Sequence, residues 1–304
     1  VLVPVAHANR IGLPQRHTEP GHEAECPDAP AHVGNDNRSA DNACMPPHDA
    51  PIVFLHAFPL DGRMWAPQVA GLPDGWSGVA PDLRGFGPTP PAGPPARHVG
   101  DHAADVLALI EALDAGPAVL CGLSMGGYIA FECWRRRPAA IRGLVLADTR
   151  AEADTDEARA RRVAMQALAA RDGAGAVVDA MLPGLLGATT RTEDPHLAVR
   201  VRGWARETPA QGVVDALEAL RTRPDSRPTL ATITCPTLVL VGAEDTLTPP
   251  ALARVIADGI PGATCIEIPR AGHLANVEQP EAFGAALGAW LRALPAPDQS
   301  VRIS

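Results

Sequence analysis

No stretch of this chain approaches the roughly 18 consecutive apolar residues that a membrane helix needs. Its first ten residues, VLVPVAHANR, have neither the basic start nor the long apolar run of a secretory signal. An excess of basic charge is also lacking: 26 basic residues against 35 acidic give a net charge of −9, which argues against a surface built for nucleic acid. The six cysteines, at positions 26, 44, 121, 133, 235 and 265, make no close repeated pairs, so a disulfide scaffold is excluded. These absences lead us to expect a cytoplasmic protein with neither nucleic acid nor membrane as a partner. Aromatic residues are few as well, five Phe, five Trp and one Tyr in 304 residues. What is present is ordinary for a folded chain: 46% hydrophobic and 20% charged residues exclude wholesale disorder, collagen and coiled coil. The unusual excess is of Pro (32) and Gly (28).

Residues 1–50 differ from all that follows. They hold five of the ten His (7, 17, 22, 32 and 48), many Pro, Asn and Asp, and no apolar periodicity, which predicts a poorly ordered N-terminal segment. His17, His22 and Cys26 match no zinc spacing, and no metal is expected there. Position 1 is Val, and Met45 lies where this segment stops, with 260 residues from there to the end; an over-extended start is the expectation.

From residue 51 short apolar runs alternate with helical patterns. IVFLH (52–56), SGVAPDL (77–83), PAVLCG (117–122), IRGLVLAD (141–148), TLVLVG (237–242) and ATCIEI (263–268) are nearly all apolar, as strands covered on both faces are. Between them, residues 98–114 place Val99, Ala103, Val106, Ile110 and Leu113 on one helical face, closed by Gly116 and Pro117. This succession predicts an α/β fold with a mostly parallel sheet flanked by helices. The strand rhythm stops at residues 150–228, where 156–171 and 210–221 read as helices, and resumes at Thr237. We therefore expect a core of 51–149 and 229–294, a helical cap of 150–228 and a short tail of 295–304.

The chemistry concentrates in Gly122-Leu123-Ser124-Met125-Gly126-Gly127, which follows one apolar run and precedes a helical pattern ending at Arg137. A G-x-S-x-G sequence in strand-turn-helix context tips the Ser hydroxyl out of the sheet, at a helix N-terminus that favours developing negative charge. Ser124 needs a base and a carboxylate to orient it. His273 stands in a loop directly after the last apolar run, at the sheet end where open α/β folds bind ligands. His56, which closes the first run, reads as a structural neighbour. Asp245, in VGAED after TLVLVG, completes the chain order Ser, Asp, His; Asp148, after the run ending Leu146-Ala147, is the alternative. The backbone N–H groups of Phe58 and Met125 are the candidate oxyanion donors, since Pro59 has none.

LHAFPLDGRMW (55–65), PDLRGFG (81–87), CGLSMGGYIAFE (121–132), VGAEDTLTPP (241–250) and AGHLANVEQPEAF (271–283) together resemble the α/β-hydrolase family, in its capped serine esterase and lactonase branch, 3-oxoadipate enol-lactonases included. The resemblance implies a Ser124, Asp245 and His273 triad with oxyanion donors at Phe58 and Met125. Two departures accompany it: residues 1–50 contain no leading antiparallel hairpin, and Ala57 replaces the usual Gly.

The function this implies is hydrolysis of carboxylic esters or lactones through an acyl-enzyme, with a small-molecule substrate and no metal or organic cofactor. Cofactor-free perhydrolysis or haloperoxidation by the same triad, and a non-catalytic small-ligand receptor on the same fold, are the alternatives. A carboxylate-nucleophile dehalogenase or epoxide hydrolase is disfavoured by Ser at 124. Asp82 and Arg84 read as charges that fix a turn, and Arg135, Arg136 and Arg137 as a solvated run complementing a helix C-terminus. Cys121 and Cys133 read as small buried residues.

Overall fold

A computed structural model of the chain describes residues 50–88 and 93–295. The expectations for residues 1–49, His17, His22 and Cys26 among them, and for the tail beyond 295 lie outside the described residues.

Six strands form one sheet: β1 (Ala50–Leu55), β2 (Trp76–Val79), β3 (Ala118–Leu123), β4 (Ile141–Ala147), β5 (Thr237–Gly242) and β6 (Thr264–Ile268). Every neighbouring pair is parallel, in the order β2-β1-β3-β4-β5-β6. The strands named from the sequence are all present, with one correction. The run 77–83 is a strand only to Val79, because its pairing with β1 ends at Val53 and Pro81 has no N–H to continue a ladder. The chain then turns, and the Leu83 N–H goes to the His56 ring instead. The stretch before β1, for which the sequence offers no leading hairpin, lies outside the described residues.

Helices connect these strands: α1 (Ala66–Ala70), α2 (Val99–Leu113) and α3 (Met125–Arg136) in the first half, α9 (Pro250–Gly259), α10 (Ala275–Glu278) and α11 (Pro280–Ala293) in the second. The alternation of β1 shows why its sequence is apolar throughout. Val53 and Leu55 belong to the buried cluster that includes residues of α2 and α3, whereas Ile52 and Phe54 belong to the one that includes Trp65 and Phe283, Leu287 and Leu291 of α11. Both faces of the central strands are therefore covered, and β3 and β5 are buried at every residue, whereas the edge strand β6 is exposed at three of its five residues, contrary to the expectation for that run.

Between β4 and β5 lie α4 (Asp156–Leu185), α5 (Ala188–Glu193), α6 (Pro195–Arg206), α7 (Ala210–Thr222) and α8 (Arg227–Leu230). The helix read as 156–171 runs on to Leu185, interrupted at Gly173, whose φ of 82° breaks the helical geometry. Helices α5 and α6 carried no expectation, although Asp194, which accepts the Leu197 N–H at 3.2 Å, followed by Pro195 is a readable helix start. The two legs of this segment meet around Asp154, whose buried carboxylate pairs with Arg150, Arg162 and Arg223. The Arg223 guanidinium also lies 4.2 Å from the centre of the Tyr128 ring. Among the described residues no helix is long and apolar enough to cross a membrane.

Candidate active site

Strands β1, β3, β4, β5 and β6 all end at one edge of the sheet, and each delivers a loop there. The sharpest turn joins β3 to α3. Ser124 has φ 54° and ψ −108°, a left-handed backbone that a residue with a Cβ adopts only when its surroundings hold it. Its neighbours make that possible. A Cβ on Gly122 would lie 2.3 Å from the Gly126 carbonyl oxygen, and one on Gly126 would lie 2.2 Å from that of Leu55, so backbone packs directly on backbone. The Ser124 N–H donates to Ala147 at 2.9 Å, and Thr149 Oγ1 donates to the Ser124 carbonyl at 2.9 Å, which ties the turn to the end of β4.

His273 reaches this hydroxyl from the loop after β6. Its Nε2 is 2.9 Å from Ser124 Oγ and its Nδ1 is 2.8 Å from Asp245 Oδ2, with His273 and Asp245 both buried. Because a carboxylate only accepts, Nδ1 carries the ring proton and Nε2 is left to accept from the Ser124 hydroxyl. Burial works against the charge of Asp245, but the His273 ring and the donors of Thr248 hold its carboxyl below the ordinary value. Its Oδ1 accepts the N–H groups of Leu247 (2.8 Å) and Thr248 (2.9 Å), and its Oδ2 accepts the Thr248 hydroxyl at 2.6 Å. The three residues singled out in the sequence thus meet in one relay. Thr248, which carried no expectation, is part of its support, and Asp245 followed by Thr at the third position was the available signal.

Asp148 sits elsewhere. It is fully buried at the end of β4, and its Oδ1 accepts the Gly242 N–H at 2.7 Å. Burial, and then the nearby Asp245 charge, push its carboxyl well above the usual range. His56 is engaged on both sides, its Nδ1–H donating to Ala57 (3.0 Å) and its Nε2 accepting from Leu83 (3.0 Å), and burial lowers its pKa to about 4. The loop after β1 is folded back on itself by the Leu60 N–H bonding Ala57 at 2.9 Å. Ala57, in the place of a Gly, is fully buried and donates its N–H to Met64 Sδ at 3.3 Å. The N–H groups of Phe58 and Met125 meet no acceptor among the described residues.

The charged motifs have partners of their own. Asp82 accepts the Gly62 N–H and Arg84 pairs with Asp105, so the two charges pin different segments to the turn and do not pair with each other. The arginine run is not simply solvated: Arg135 and Arg136 share Glu132, and Arg137 pairs with Glu111. Burial raises the thiol of Cys121 well above its ordinary value and that of Cys133 to about 12, which removes both as thiolates. Among the described residues no group of three or more His, Cys, Asp or Glu is arranged to hold a metal ion.

Residues 50–280 match the alpha/beta hydrolase fold family. The chain belongs to that family. As an alpha/beta hydrolase it is similar to 3-oxoadipate enol-lactonase 2 of Acinetobacter baylyi, 30% identical with 79% of this chain and 88% of that protein covered. A putative non-heme bromoperoxidase of Mycobacterium tuberculosis is 33% identical over 78% of this chain and 92% of its own length. Among solved structures, a thermophilic esterase from Thermogutta terrifontis has a TM-score of 0.78 at 38% identity, with 81% of this chain and 91% of that one covered. The enol-lactonase from Burkholderia xenovorans LB400 has a TM-score of 0.73 at 30% identity, covering 80% and 91%. The hydrolase therefore sits among esterase, enol-lactonase and bromoperoxidase relatives, an enzyme family whose substrates are small molecules.

Proposed function

We propose that this hydrolase cleaves carboxylic esters or lactones through an acyl-enzyme on Ser124. The observation that carries the reading is His273, which bridges Ser124 Oγ at 2.9 Å and Asp245 Oδ2 at 2.8 Å from within a buried loop. In the reaction His273 Nε2 takes the hydroxyl proton as Ser124 Oγ attacks the carbonyl carbon, and the Asp245 carboxylate stabilises the imidazolium. The N–H groups of Phe58 and Met125 hold the oxyanion, each contributing a few kcal/mol where water is excluded. Collapse breaks the bond to the alcohol oxygen, which receives the proton from His273. Water, deprotonated by the same ring, then releases the acid and regenerates Ser124. The helical segment between β4 and β5 serves as the cap of this site. The esterase and enol-lactonase relatives support the choice of carbonyl substrates.

Perhydrolysis is the second reading, favoured by the similarity to a bromoperoxidase. It needs only hydrogen peroxide in place of water at deacylation, giving a peracid. A panel of short p-nitrophenyl esters, enol-lactones and acyl homoserine lactones, run with and without peroxide, separates the readings by rate. Ser124→Ala should lose turnover by a factor on the order of 10⁴ or more with the fold unchanged. Full ester hydrolysis by that variant, or tight ligand binding by the parent with no fluorophosphonate labelling of Ser124, would overturn the proposal.

A further inference from the structure

Two carboxylates outside the relay join its loops to the first turn of α5. Glu278, the last residue of α10, has 9% of its surface exposed. Its Oε1 accepts the backbone N–H of Gly272 at 2.9 Å and of Leu274 at 3.2 Å, the residues on either side of His273. Its Oε2 accepts the N–H of Gly187, at the start of α5, at 2.7 Å. Glu244, next to Asp245, accepts both the N–H and the hydroxyl of Thr189. The backbones themselves touch: a Cβ on Gly272 would lie 2.2 Å from the Gly187 nitrogen, and one on Gly187 would lie 2.8 Å from the Gly272 nitrogen.

Three buried N–H donors on one carboxylate make a charge-assisted set, stronger and more directional than neutral bonds. Two of the three bracket the base, so the Glu278 side chain fixes the peptide planes from which the imidazole projects. The third belongs to Gly187, at the N-terminus of α5. Resting on the acyl-enzyme reading, we propose that Glu278 is a positioning residue for His273, and that through Gly187 it makes the placement of the base depend on the helical segment between β4 and β5. A displacement of Gly187 is then felt at the imidazole without any contact between that segment and the ring.

Glu278→Gln keeps the shape of the side chain but sets an amide NH₂ against one set of N–H donors. Three quantities are read on the full chain: kcat and KM for p-nitrophenyl acetate, the rate of fluorophosphonate labelling of Ser124, and the far-downfield proton resonance of His273 Nδ1–H. The expected result is a kcat lower by a factor on the order of 10 to 100, as for a small misplacement of a reacting group, with KM within about twofold. Labelling should slow in proportion, and the resonance should shift or broaden. Unchanged kcat with an unchanged resonance overturns the proposal, as does a change confined to KM. An equal loss in Glu193→Gln, which removes the exposed partner of Arg270 on α5, also overturns it, because the effect would then be one of general charge. Should Glu278→Gln not fold, the same criteria apply to Glu278→Asp, which keeps the charge but is too short to reach both sets of donors. A parent that neither turns over nor labels sinks the hydrolytic reading, whereas the resonance needs no substrate and still decides the positioning.

Discussion

Thr248 illustrates how a single side chain supports the proposed relay without touching the reacting bond. Its hydroxyl donates to the Asp245 oxygen that also holds His273 Nδ1, and its N–H donates to the other oxygen. Thr248→Val removes the hydroxyl at nearly constant volume and leaves Oδ2 with one donor. We expect kcat to fall by about tenfold, roughly 1.4 kcal/mol, with little change in KM, as measured in the p-nitrophenyl ester assay. At this scale the sequence was informative where the chemistry demands a particular residue type at a strand end, as at Ser124, Asp245 and His273. It was silent at Glu278, because a Glu five residues beyond a His acquires its role only when the chain curls back to present two N–H groups to one oxygen.

Among the elements, the β3–α3 turn tolerates the least change. On Gly126 a Cβ would meet the Leu55 carbonyl at 2.2 Å, and that carbonyl belongs to a central strand that cannot retreat. Gly126→Ala is therefore expected to cost more than about 2 kcal/mol in urea unfolding, the overpacking penalty of a site with no slack. The junction of the helical segment offers a second test. Asp154 has a fully buried side chain and pairs with Arg223, itself 2% exposed, and with Arg150 and Arg162. Removing the carboxylate in Asp154→Ala leaves buried positive charge uncompensated, for an expected loss of about 3 to 5 kcal/mol in the same measurement. Strands were easier to place than helices in this chain. Burial on both faces makes a strand apolar at every position, whereas α4 is broken at Gly173, where the backbone leaves helical geometry.

For the whole molecule the sharpest consequence concerns acid. His56 and His102 are fully buried, and burial lowers both to about 4; the ring nitrogens of His102 have no hydrogen-bond partner among the described residues. In the unfolded chain each would titrate near 6.5. The unfolded state therefore takes up protons first as the pH falls, so the stability these residues permit is complete above about 6.5 and is lost progressively down to about 4. Each contributes on the order of 3 kcal/mol to that loss. Asp148, whose carboxyl burial raises, acts in the opposite sense as the pH falls, so the His contribution is read from urea midpoints of parent and variant compared from pH 7 to 4. His102→Leu should flatten the curve, its advantage over the parent growing as the pH falls through that window. A difference between parent and His102→Leu that stays constant over the range would contradict this account.

The sequence by itself determined the parallel sheet, because continuous apolar runs alternating with amphipathic ones have no other economical way to bury both faces. It also singled out Ser124 as the candidate nucleophile, because the strand-turn-helix at that position has a local signature. Only the tertiary structure shows that Asp245, and not Asp148, lies at the His273 ring. Both follow apolar strands, and what separates them is that Asp148 accepts the Gly242 N–H whereas Asp245 meets the His273 ring. The same holds for Glu244 and Glu278. Their partners, Thr189 and Gly187, are 55 and 91 residues away in sequence, and no local pattern encodes a contact that exists only because backbone meets backbone at glycine.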